Sequence, residues 1–171
     1  MRSSPAFSRH IPALRVLYLY SFAALEWCLG QVAISADQPA LGFWAFSGFD
    51  SNNLTDAGLT LQAGLRYLHA SWPVDDLMRL YLTDTAPAQY QLVPADIWIE
   101  VRGSRGEFQI NRFDIAEFVF RKAILDGHSI GAAAEHALDT DSGFDVGRAF
   151  ATLVTSGHVV GTMLPSLGGR P

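Results

Sequence analysis

Ile97-Trp-Ile-Glu-Val101, Arg102-Gly-Ser-Arg-Gly106 and Phe108-Gln-Ile110 follow one another, and the fold is read from them. Two β-rich runs around a turn-rich segment predict a hairpin. Asp114-Ile-Ala-Glu117 comes next. Aspartate at the N-cap and glutamate at N3 approximate a capping box, which satisfies the free N–H groups of a helix start. That helix is expected to run to Asp126 and to stop at Gly127, a residue suited to the left-handed C′ position. Ser129 caps a second predicted helix over 130–138. After a loop at 139–143, Asp145 caps a third over 146–156. Its Val146, Ala149, Phe150, Leu153 and Val154 share one face. Gly157 ends it, and residues 158–164 read as a short terminal strand. Hairpin, three helices and strand follow the winged helix-turn-helix plan.

Upstream, Pro12 suits a first helical turn, and residues 13–33 are apolar on nearly every side. Such a helix belongs in a core or at an interface. Its longest apolar run, Val16–Leu25, is too short to cross a bilayer, which takes about 20 residues. Two tyrosines within the run and Glu26-Trp27 after it argue against a signal peptide. The aromatic stretch Leu41–Phe46 precedes Ser47–Asn53, a loop by composition. Residues 59–67 alternate apolar and polar, which favours extended chain. Trp72-Pro73 breaks it, 74–82 reads as a short helix, and 83–94 reads as a linker. The expected fold is α+β. A mainly helical, aromatic region (1–90) packs on a winged-helix module (91–164), and 165–171 forms a tail.

The chain has 171 residues, 49% of them hydrophobic and 17% charged, which excludes a disordered protein. Net charge is −5, so a chain-wide basic footprint for nucleic acid is absent. A single cysteine, Cys28, excludes an internal disulfide and a multi-thiolate zinc site. It fits a reducing, cytoplasmic setting.

Catalytic patterns are missing. His10, His69, His128, His136 and His158 show no metal-ligand spacing, and His128 and His136 fall in different predicted elements. Asp75-Asp76 reads as a helix-start pair. Asp139, Asp141 and Asp145 lack the rest of a calcium loop. The glycines of 102–106 match no phosphate-binding motif. A binding or partner protein is expected rather than an enzyme, with no catalytic residue, metal or cofactor of its own.

Residues 96–164 hold six basic side chains against ten acidic ones, and the third helix offers only Arg148. DNA is therefore not the expected ligand, although a winged-helix transcription regulator is the alternative reading. An edge strand beside a helix can instead accept an added peptide strand. Strand 107–112 and helix 145–156 supply Phe108, Ile110, Arg112, Arg148, Thr152 and Thr155 as groove residues. The aromatic surplus upstream makes Trp27, Phe43, Trp44, Phe46 and Trp72 the expected protein-docking face.

Several short motifs, taken in order, carry a family likeness. They are Leu25-Glu26-Trp27, Leu59-x-Leu61, Leu65-Arg66-Tyr67-Leu68 and Trp72-Pro73-Val74-Asp75. Then come Arg112-Phe113-Asp114-Ile115-Ala116-Glu117-Phe118, Gly127, Phe144-Asp145 and Gly157…Gly161. Across about residues 5–164 the chain resembles the HvfC/BufC-type partner proteins, which include a methanobactin-biosynthesis partner. The resemblance implies a heterodimer with a multinuclear non-haem iron oxidase of TIM-barrel fold. That enzyme modifies cysteines of a ribosomally made precursor peptide, often for copper binding. The partner holds the peptide, and the iron ligands belong to the enzyme. No membrane is implied. Where many members have His-Pro-Ser, this chain has Gln62-Ala63-Gly64.

Overall fold

Arg105 and Gly106 hold φ of 51° and 90°. Two successive positive φ values mark the tight hairpin turn whose twist matches the strands it joins. The hairpin therefore closes over two residues, not over the whole of 102–106. The computed structural model describes residues 12–85 and 92–163. In chain order these form α1 (Pro12–Ala33), α2 (Ser51–Asp56), β1 (Gly58–Leu61), β2 (Leu65–Ala70) and α3 (Val74–Leu82). Then follow β3 (Ile97–Ser104), β4 (Glu107–Phe113), α4 (Ile115–Leu125), α5 (Ile130–Thr140), α6 (Val146–Thr155) and β5 (Val159–Met163). The fold is α+β.

One antiparallel sheet has the order β2-β3-β4, and a second pairs β1 with β5. Side chains alternate across a strand, so β3 serves two layers. Ile97, Ile99 and Val101 meet Leu25, Leu29 and Val32 of α1 and Val74 and Met78 of α3 in a first core. Leu25 and Val32 are fully buried, each worth about 1.5–3 kcal/mol of transfer from water. The second core gathers Leu59, Leu61 and Leu65 with Phe120, Ile130, Leu153 and Val159.

The expected division at 90/91 does not appear. β2 pairs with β3, β1 pairs with β5, and both cores draw residues from either side. The alternation over 59–67 splits into β1 and β2, which belong to different sheets. Gly64 sits at their junction, where a Cβ would stand 2.0 Å from the Gly103 carbonyl oxygen. The loop expected at 47–53 contains the start of α2, capped when Asp50 accepts from the Asn53 N–H at 2.7 Å. Phe43–Phe46 forms a 3₁₀ turn. The expected N-caps Asp114, Ser129 and Asp145 all accept a backbone N–H. Gly127, at φ 92°, ends α4. The tail and linker residues 86–91 lie outside the described residues. Among the described residues no helix is long and apolar enough to cross a membrane.

Candidate peptide-binding edge

The two-residue turn fixes which backbone groups of β4 face inward. Ser104 pairs with Glu107, Arg102 with Gln109, Glu100 with Asn111 and Trp98 with Phe113. In such a hairpin these pairs exchange hydrogen bonds, and the residues between them turn N–H and C=O the other way. Phe108, Ile110 and Arg112 thus aim their backbone groups away from β3. Among the described residues no backbone group meets them, and β4 is the end strand of its sheet. An exposed ladder of this kind is a template for a further strand.

The side chains along this edge have two fates. Phe108 and Ile110 share the face of Val101 and pack into the first core beside α1. Arg112 reaches α3 instead. Its Nε donates to Asp75 Oδ2 at 2.6 Å, and its Nη2 donates to Asp75 Oδ1 at 2.6 Å and Asp76 Oδ2 at 2.7 Å. These bonds push the guanidinium pKa further up. Asp75 is fully buried, so the start of α3 is tied to the far end of β4.

The helix expected to close the groove lies elsewhere. α6 buries Ala149, Leu153 and Val154 in the second core. The hydroxyls of Thr152 and Thr155 donate to carbonyls of their own helix, Arg148 at 2.8 Å and Ala151 at 2.9 Å. Its C-terminal end meets the sheet where Arg102 Nη1 donates to the Ser156 carbonyl at 3.1 Å. Arg102 shares its face with Gln109, the opposite face from Phe108, Ile110 and Arg112. The six expected groove residues therefore do not line one groove. Strand parity is the reason: a one-residue choice moves a whole set of side chains to the other face.

The expected docking face also divides. Trp27 (71% exposed), Trp44 (74%) and Phe43 (49%) stand in solvent. Phe46 and Trp72 are core residues instead, Phe46 against Phe49 and Phe150, and Trp72 against Tyr18. Sequence reasoning named Trp27 but missed that Leu19 and Tyr20 of α1, with Ile34 just past it, are exposed beside it. Their spacing puts them on one side of the helix axis. A helix apolar all round gave no sign of which side would be left bare.

Two further arrangements escaped the sequence reading. Glu100, in the middle of β3, is buried and accepts from Tyr67 Oη at 2.8 Å and Arg121 Nη1 at 3.2 Å. Arg121 also donates through Nε to Glu117 at 2.5 Å and lies over the Phe113 ring. Burial, reinforced by Glu100, pushes the Tyr67 hydroxyl well above its usual pKa. His158 Nδ1 stands 3.9 Å from Glu100 and has no hydrogen-bond partner among the described residues. Burial lowers that imidazole to about 4, with Arg102 and Arg121 adding to the effect against the pull of Glu100. The second arrangement is Gln62, which bonds the backbone of Gln38 in both directions, at 3.0 and 2.8 Å. It fastens the segment after α1 to the end of β1.

A cleft of about 250 Å³ opens at the hairpin tip, lined by Asp37, Arg102, Ser104, Glu107, Phe108 and Gln109. Among the described residues no three His, Cys, Asp or Glu side chains could together hold a metal ion. No family model, curated protein or solved structure matches the chain.

Proposed function

We propose that this chain is a non-catalytic partner subunit that takes a cysteine-containing precursor peptide along the free edge of β4. It presents that peptide to a multinuclear non-haem iron oxidase, in the cytoplasmic making of a modified, copper-binding peptide of the methanobactin kind. The observation that carries the reading is the outward, unpaired backbone of Phe108, Ile110 and Arg112. A guest strand there gains main-chain hydrogen bonds in register, and neighbouring side chains select it. The groove differs from the one expected from sequence. Its floor is the β4 edge with the hairpin-tip cleft, and α6 takes no part.

The nature of the enzyme rests on the motif resemblance. Trp72-Pro73-Val74-Asp75 and Arg112-Phe113-Asp114, two of those motifs, meet in the Asp75–Arg112 pair, which supports treating them as one unit. Leu19, Tyr20 and Trp27 on α1, with Ile34 just past its end, supply an apolar face of the sort that protein partners cover. Any iron belongs to the enzyme. Duplex binding draws no support, since α6 carries one cation, Arg148.

Co-expression with an iron oxidase encoded beside this chain tests the reading. The expected result is a single heterodimer peak at micromolar concentration. Separate elution of the two proteins overturns it.

A further inference from the structure

His128 and His136 are eight residues apart, yet their ring centroids stand 5.3 Å from each other. The fold makes this pair. Gly127 takes φ 92°, the Gly127 N–H bonds Ile124 O, and the His128 N–H bonds Ala123 O at 3.0 Å. These bonds close the end of α4 and fix the backbone of His128. Ser129 then caps α5 at once, accepting from the Ala132 N–H. His136 lies on the second turn of α5, and helical side chains lean toward the N-terminus, here toward His128. Both backbones are thus held by hydrogen-bonded structure before any ligand arrives.

Both rings are exposed, and among the described residues neither makes a side-chain hydrogen bond. The contrast within the chain is plain. His69 is bonded to Asp96, and His158 is buried. Two imidazoles on one zinc ion, with metal–nitrogen distances of about 2.0–2.1 Å and a tetrahedral angle, have ring centres roughly 5 Å apart. The observed separation matches that spacing, with the two ring planes 69° apart.

We propose that His128 and His136 form a surface chelate for an imidazole-preferring divalent cation of the zinc class. The protein supplies two ligands and water the others, so the site is open and exchangeable. It is independent of the β4 edge and of any iron in a partner. Neutral imidazole is the ligand, so protons compete with the metal.

The test is calorimetric titration of the tag-free full chain with zinc chloride at pH 7.5 and pH 5.5. One equivalent is expected to bind at pH 7.5, with affinity falling at least tenfold at pH 5.5. His128→Gln and His136→Gln are each expected to weaken binding at least tenfold, and His69→Gln to leave it unchanged. Both substitutions lie on the surface, and circular dichroism checks that the variants are folded. Equal affinity in the wild-type chain and the H128Q/H136Q double variant overturns the proposal. So does the absence of heat up to millimolar zinc.

Discussion

The Arg112 guanidinium holds the fully buried Asp75 carboxylate at two points, 2.6 Å each, and joins an edge strand to the first turn of a helix 37 residues earlier. Removing the main partner of a buried carboxylate leaves its charge poorly compensated. Arg112→Met is expected to cost about 2–4 kcal/mol in urea unfolding. The loss sits at the lower end of the usual range because Arg79 stands 3.8 Å from Asp75. Arg112→Lys is expected to recover only part of it, since a point charge cannot reproduce a planar two-point contact.

His158 gives the fold an acid limit. Its pKa in the folded chain, lowered to about 4 by burial, lies below the ordinary value of 6.5. Between those values the unfolded chain takes up a proton that the folded chain refuses. The contribution is therefore complete above about pH 6.5 and is lost as pH falls toward 4, by roughly 3 kcal/mol across that window. Urea midpoints measured from pH 7 to 4 should decline, and His158→Gln should flatten the decline. An unchanged slope in the variant removes His158 as its source.

Two glycines should respond in opposite directions to the same change. A methyl group at Gly64 meets the Gly103 carbonyl oxygen at 2.0 Å, and that carbonyl is backbone that cannot rotate away. Gly64→Ala should destabilise by about 2–4 kcal/mol. Gly30, inside α1, has nothing within 4 Å of a built Cβ. Gly30→Ala should stabilise by about 0.5–1 kcal/mol, the helix-propensity gain. Thermal melts of both variants check the pair.

Strand geometry separates the edge from the groove first read in the sequence. Proline at 110 removes a donor that points outward, so the ladder between β3 and β4 keeps its bonds. Ile110→Pro should lower affinity for the proposed cysteine-containing precursor peptide at least tenfold in fluorescence anisotropy, with the fold intact by circular dichroism. Arg148→Glu, on the first turn of α6, should leave affinity within a factor of two. The reverse outcome would restore the helix to the site.

Much of the architecture was legible where the local chemistry was unambiguous. Asp114, Ser129 and Asp145 marked helix starts because a short acceptor before an apolar-periodic run has few other uses. Gly127 and Gly157 marked stops, and both hold positive φ. Less could be read where the answer depends on distant partners. The alternation over 59–67 showed extended chain but not that Gly64 divides it between two sheets. The acidic Glu100 gave no sign that Arg121 and Tyr67 would bury it. Within the site, Phe108, Ile110 and Arg112 were correctly placed on an edge strand. Which way they faced was decided by the Arg105-Gly106 turn and by α1, and a period of two cannot tell one face from the other.

Amide hydrogen exchange along β4 tests the central claim most directly. In the free chain the amides of Phe108, Ile110 and Arg112 should exchange quickly while those of Gln109 and Asn111 are slow. Adding the proposed ligand, a cysteine-containing precursor peptide, should slow the first three and leave the other two as they were. If those three amides are already slow without peptide, or stay fast when it is bound, no guest strand joins this edge.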